Sequence, residues 1–195
     1  LFGSQISFSV AFITTFSTLF LGLIIGIVSG DIGGRLDGII CRIIDFLMSF
    51  PGFFMVIALS EPAVNQLQTR MPQIDVNIIR VSVLIIFLTF FGWMYFARLI
   101  RGQVLSMRER DFISAAIALG SPSRRIVFKE ILPNMWPPVI VFASNALPGF
   151  LGAEAAFSFL GIGVQDPFCT WGVLLAQSQS YWSTDPTFFA IPGAL

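Results

Sequence analysis

DFISAAIALGSPSRRIVFKEILP, residues 111–133, is the one extended polar interruption in a sequence that otherwise reads as membrane. Seven of the eleven basic residues lie in it or just before it: Arg98, Arg101, Arg108, Arg110, Arg124, Arg125 and Lys129. Between residues 98 and 133 only Glu109, Asp111 and Glu130 oppose them. Asp111 reads as the N-cap of a short helix over 112–119. Gly120 then stands at the C′ position, where a left-handed backbone costs glycine nothing. Ser121 and Pro122 restart the chain as N-cap and first helical residue, and the second helix is expected to stop at Pro133. Ser114, Ala115, Ala116 and Ala118 are small enough for a second surface to approach closely, while Phe112, Ile113 and Ile117 supply apolar knobs at helical spacing. That combination suits a short helix laid into a groove on a partner protein. A solvated loop whose charges only set topology would account for the arginines. It would not need about twenty residues and two caps, so docking is the preferred reading.

On either side the chain is apolar and long enough to cross a bilayer. The first span is read at 6–30, where no charge occurs. At 1.5 Å per residue it reaches roughly 37 Å, enough for a tilted crossing. Gly22, Gly26 and Gly30 recur on one face, a pattern for ordinary close helix–helix packing. After a glycine-rich turn the second span is read at 36–60. Arg42 and Asp45 are placed to pair on one face near its start, and Pro51-Gly52 is expected to kink or interrupt it. Residues 61–80 read as a polar connector. The third span, 81–97, continues as a helix carrying Arg98, Arg101 and Arg108, the first two of which can snorkel toward the headgroups. The fourth, 134–160, has Pro137-Pro138 near its first turns and Pro148-Gly149 expected to break its middle. Glu154 is its only acid. Asp45 and Glu154 are therefore the candidate intramembrane polar or pathway residues, although Glu154 equally suits hydrogen bonding to neighbouring helices. Within the loop at 161–185, Trp171, Tyr181 and Trp182 are placed for the membrane interface, and 171–178 reads as a short helix lying against it. A further span begins at 186–195. The positive charge places the 111–133 loop and the 31–37 turn in the cytoplasm, with 61–80 and 161–185 outside. The absence of a starting Met and the apolar run at the end lead us to expect a fragment incomplete at both ends.

Composition narrows the chemistry. Of 195 residues, 55% are hydrophobic and 11% charged, against about 25% charged in a soluble domain. The formal net charge is zero, which leaves nucleic acid no electrostatic footprint. Cys41 and Cys169 fall on opposite sides of this topology, so two unpaired thiols are expected. There is no histidine, which removes imidazole catalysis and H-E-x-x-H zinc sites. No G-x-x-x-x-G-K-[ST] loop, C-x-x-C or G-x-S-x-G elbow occurs. The expectation is a non-enzymatic membrane protein with no cofactor and no metal, drawing energy from another subunit.

A family resemblance joins these readings. Ser114-Ala115-Ala116, then Gly120, then Ile131-Leu132-Pro133 resembles the EAA loop of bacterial ABC-importer permeases. Ser114 stands where the motif has Glu, with Asp111 or Glu109 the nearest carboxylates. SFPG at 49–52, ARLIRGQVL at 97–105, LPN at 132–134 and EAAFSFLGIGVQ at 154–165, followed by Trp171-Gly172, are similar to the second permease subunit of dipeptide and oligopeptide importers. The resemblance covers nearly the whole chain and implies an all-α, polytopic membrane helix bundle of the type I importer kind, part of a six-helix subunit. It implies ATPase coupling through Asp111, Ser114, Ala115, Ala116, Gly120, Ile131, Leu132 and Pro133. It also implies four kinds of partner: a second homologous permease, two cytoplasmic ATP-binding subunits, an extracytoplasmic solute-binding protein and the lipid bilayer of a bacterial cytoplasmic (inner) membrane. Di- or oligopeptides are the implied solutes, with nickel or another small solute as the alternative. An ATP-independent channel or membrane scaffold is the rival of another class.

Overall fold

In the computed structural model, residues 2–181, 184–185 and 187–193 are described. The expectations for Trp182 and for the ends of the 186–195 span fall outside them. The described residues are helical without a strand. In chain order the elements are α1 (Phe2–Ile32), α2 (Gly34–Met48), α3 (Gly52–Arg70), α4 (Val76–Arg108) and α5 (Asp111–Ala118). A single α-turn α6 (Ser123–Arg125), a π-helical stretch (Ile126–Ile131) and a second turn α7 (Leu132–Asn134) lead into α8 (Trp136–Phe159). Then come α9 (Trp171–Ser178), a 3₁₀ turn (Gln179–Tyr181) and α10 (Thr187–Gly193). Three helical stretches are long and apolar enough to cross a membrane: Ser4–Ile32, Val76–Arg108 and Trp136–Phe159. α2 and α3, bent by 77° at the break over 49–51, make a fourth when taken together as one span. Pro51 causes that break: it has no N–H to donate and drives the preceding residue toward extended backbone.

Three expectations change. The polar connector at 61–80 is mostly helix, since α3 runs to Arg70 and α4 starts at Val76. Pro62 sits inside α3 without ending it, and the actual break falls beside Pro72. Pro148 does not break α8, which is continuous from Trp136 to Phe159. Without competing water, the remaining backbone hydrogen bonds hold such a helix together across one missing donor. Nor does Pro133 stop the second helix. The wider π turns before it shift the backbone pairing to i−5, as in the Leu132 N–H donating to the Val127 carbonyl. Asn134 Nδ2 donates to the Glu130 carbonyl at 2.6 Å. Pro133, Pro137 and Pro138 then each fall in a first helical turn, where an N–H is dispensable.

The chain forms two compact units: residues 1–15, 51–89 and 146–195, and residues 16–50 and 90–145. In the second unit the glycine stripe of α1 lies on α4. A Cβ on Gly22 would fall 2.7 Å from the Phe96 ring, and one on Gly30 would fall 2.8 Å from Val104 Cβ. Only glycine allows this approach. Below the stripe α4 is tied to α1 and α2 by three ion pairs, Arg98 with Asp45, Arg101 with Asp37 and Arg108 with Asp31. Asp45 thus pairs across to α4 and not with Arg42 on its own helix, and Arg98 and Arg101 are both held by carboxylates. Arg101 is the firm member: its Nε and Nη2 reach the two Asp37 oxygens at 2.5 and 2.6 Å, and Ser29 Oγ donates to the same carboxylate at 2.5 Å. A half-buried two-point fork of this kind is a stronger contact than the exposed Arg98 pair. Cys41 and Cys169 are both free thiols.

In the first unit, Val64 of α3 packs on Ile79 and Val83 of α4, with Arg80 and Glu61 paired beside them. Phe53 stacks on Phe157 with ring centroids 4.9 Å apart. At the start of α1, Phe8 meets Trp171 edge-on, and Ser7 Oγ accepts a hydrogen bond from the Trp171 N–H.

Candidate functional site

The segment at 111–133 is built out of the end of α4. After Arg108 two residues make the turn into α5, with Arg110 at the cap position in extended backbone, φ −80° and ψ 146°. Asp111 is therefore the first helical residue and makes no side-chain cap. Its carboxylate still complements the free N–H groups of the first turn. At the far end Gly120 takes a φ of 76°, the left-handed conformation its position called for. The Gly120 N–H donates to the Ile117 carbonyl at 2.9 Å and the Ser121 N–H to Ala116 at 3.0 Å. This pair of reversed bonds is a Schellman termination. Pro122, not Ser121, then occupies the cap before α6, in extended backbone at ψ 148°.

Burial divides the residues of the segment by role. Ile113, Ile126 and Ile131 are buried in one cluster with Val104 and Met107 of α4 and with Met135, and Ala116 and Leu132 rest partly against it. Ile131 is wholly buried, so it anchors the segment and presents nothing to a partner. Asp111, Ser114, Ala115, Gly120 and Pro133 are exposed. The most exposed large apolar side chains here are Leu119, 86% exposed at the apex of the turn, and Phe128 at 66%. Sequence reasoning passed over both. Arg110, Arg124, Arg125 and Lys129, neighbours of these knobs in sequence, are exposed as well. The arrangement is a short, rigidly rooted projection with an apolar tip and a basic skirt.

The two membrane-depth acids separate. Asp45 is exposed on α2 and paired with Arg98. Glu154 is wholly buried in α8. Its Oε1 accepts from Ser158 Oγ at 2.7 Å, and that oxygen in turn accepts from the Val164 N–H at 3.0 Å. Oε2 has no partner. Glu154 therefore belongs to a hydrogen-bonded clamp that pulls the loop after α8 back onto the helix. Among the described residues no group of three or more His, Cys, Asp or Glu side chains is arranged to hold a metal.

A long apolar bundle from which a helix–glycine–helix projects is also the pattern of one transport family. The sequence profile described as binding-protein-dependent transport system inner membrane component matches residues 22–194. The chain belongs to this family. Within it, the oligopeptide transport system permease protein OppC of Haemophilus influenzae is 34% identical over 153 residues, 77% of this chain and 44% of that protein. The dipeptide transport system permease protein DppC of Alkalihalophilus pseudofirmus is 34% identical over 155 residues, 80% of this chain and 46% of that protein. OppC of Escherichia coli is 32% identical over 156 residues, 79% of this chain and 46% of that protein. The chain thus spans about half the length of the curated relatives it matches. A solved inward-facing structure of the MetNI methionine ABC transporter superposes with a TM-score of 0.73 at 18% identity, covering 98% of this chain and 85% of that one. Its fold is shared, so this family member is an all-α, multi-pass membrane bundle of the importer-permease kind.

Proposed function

We propose that the chain forms the membrane core of a permease subunit in an ATP-driven importer of di- or oligopeptides. Its setting is the bacterial cytoplasmic membrane. A second permease encloses the pathway with it, two cytoplasmic ATPase subunits supply the energy, and an external binding protein delivers solute. The spans are α1, the broken α2–α3 pair, α4 and α8, and 111–133 is the coupling segment. Asp111, Ser114, Ala115, Ala116, Gly120, Leu132 and Pro133 shape the surface or backbone that an ATPase would grip, with Ile131 as the root. Peptide is favoured over nickel or other small solutes because the relatives named OppC and DppC are oligopeptide and dipeptide permeases.

The observation that supports this reading best is the projection itself. Its tip is an 86% exposed leucine, while its base is fixed to α4 through Ile113, Ile126 and Ile131. Force applied at the tip would therefore reach a membrane helix without being lost in a slack loop. The test is Gly120→Val in the full-length protein with its partner subunits. A β-branched residue is strained at positive φ but meets nothing within 4 Å here. Membrane insertion should persist while peptide uptake per ATP hydrolysed falls. Solute flux that continues unchanged without any ATPase would establish the channel reading instead.

A further inference from the structure

Helix α2 is used by the fold on one side only. Its carboxylates are taken: Asp37 by Arg101 and Asp45 by Arg98. Ile44, with Ile40 and Leu47, packs toward Met94 and Ala97 of α4. Flanking that packed face, Leu36, Ile39, Ile43 and Phe46 form an exposed stripe, each between 51% and 64% exposed. Their spacing of three, four and three keeps them on one face of the helix. Along one edge of that stripe stand Arg35 and Arg42, both exposed. They are seven residues apart, two turns on the same side. Among the described residues neither has an ion pair or hydrogen bond, so this edge of α2 carries two uncompensated positive charges.

We infer that Arg35 and Arg42 form a binding site for the phosphate of an anionic phospholipid whose acyl chain lies along Leu36, Ile39, Ile43 and Phe46. Charge selects the occupant: two free guanidiniums beside an apolar stripe complement a headgroup phosphodiester joined to a hydrocarbon tail. Depth agrees. Seven residues of helix rise roughly 10 Å, and side chains lean toward the helix N-terminus. Arg42 can therefore extend back toward Arg35 and place both cations at one headgroup level. The inference takes from the proposed topology only that this level is the cytoplasmic leaflet.

The experiment uses the full-length chain with its partner subunits in nanodiscs of phosphatidylcholine mixed with phosphatidylglycerol. Lipids retained on release are counted by native mass spectrometry, a readout independent of uptake, so a failure of the transport reading would leave it unaffected. Phosphatidylglycerol should be retained in preference. Each arginine near an anionic surface contributes roughly fivefold, so R35Q/R42Q should reduce the preference by about twenty-five-fold, while R35K/R42K keeps most of it. Arg70→Gln, which removes an exposed cation from α3, should leave it unchanged. Undiminished phosphatidylglycerol in R35Q/R42Q, or an equal loss in Arg70→Gln, overturns the inference. Displacement by inorganic phosphate alone would overturn it in favour of a free anion. Efficient cross-linking of cysteines at positions 36 and 43 to the second permease would overturn it in favour of a protein partner.

Discussion

Two helices in this molecule end in the same way and meet opposite surroundings. α5 ends at Gly120 with φ 76°, and α8 ends at Gly161 with φ 77°. Each closes with the paired bonds of a Schellman turn, Gly120 to Ile117 and Ser121 to Ala116, Gly161 to Ser158 and Ile162 to Phe157. Beyond Gly161 the chain folds straight back: Val164 is wholly buried and donates to Ser158 Oγ. A Cβ on Gly163 would lie 2.6 Å from that same oxygen. Beyond Gly120 there is open space, with nothing within 4 Å of a Cβ. The local code stops both helices. The residues after each glycine make one turn a sealed seam and leave the other standing clear.

The largest effect is expected where the seam is tightest. At Gly172 an added Cβ would sit 2.6 Å from Ser158 Cβ and 2.9 Å from Ala155 Cα. Neither atom is the free end of a flexible side chain. Gly172→Val should therefore cost about 3 kcal/mol and visibly lower the melting temperature of the purified full-length protein. An unchanged melt would mean that the seam yields, and the contrast with Gly120 would disappear. Next comes Glu154→Ala, which removes the acceptor of Ser158 Oγ and leaves a buried hole. About 2 kcal/mol is expected, with hydrogen exchange at Val164 rising before global unfolding. Glu154→Gln, which keeps a carbonyl acceptor, should lose less. A Gln variant as damaged as the Ala variant would show that the carboxylate, and not merely an acceptor, matters.

At the open turn the cost should be smaller and of another kind. At Gly120 an added Cβ meets nothing within 4 Å, so backbone strain dominates, about 1–2 kcal/mol. That strain is smaller than the overlap at Gly172, although Ile113 and Ile126 on either side of the turn are buried. The melt of Gly120→Val should fall less than that of Gly172→Val while coupling is lost. A large drop in melting temperature would mean that the projection is part of the fold's stability after all.

Much of this was legible in the residues. Runs of uncharged apolar sequence identify a membrane bundle because a bilayer permits little else. Gly120 announced its turn, and Gly22, Gly26 and Gly30 their close packing. The short helix at 171–178 was legible too, and Thr170 caps it by accepting from the Val173 N–H. The prolines misled. Pro148 was expected to break its helix, yet without competing water a helix outlasts one missing donor, and Pro133 was expected to stop one, yet it falls in a first turn after the π-helical stretch. Ion pairing was also opaque: Asp45 has Arg42 near in sequence, yet Arg98, 53 positions away, takes it. Spacing along one helix cannot reveal a competitor on another. The clamp at Glu154 depends on Val164 returning to its own helix, which no pattern of residue types encodes.

The smallest effect on stability, and the sharpest test of use, belongs to Leu119. At 86% exposure it contributes almost nothing to this chain's own core, so Leu119→Ser should change stability by less than about 0.5 kcal/mol. Exposing a leucine at the tip of a rooted projection serves no purpose in a free loop, where a polar residue would be better solvated. If an ATPase groove receives that tip, burial of the side chain there is worth about 1.5–3 kcal/mol. Co-purification of the ATPase subunits should then weaken by an order of magnitude or more while the melt stays fixed. The partner mutation Phe128→Ser separates tip from flank, because Phe128 lies on the π-helical stretch and not at the turn. Equal losses from both would describe a broad apolar footprint, and a loss from Leu119 alone a single inserted knob. Retention of the ATPase by both variants would return 111–133 to the status of a charged connector, and the two glycine turns would then differ only in how well they are packed.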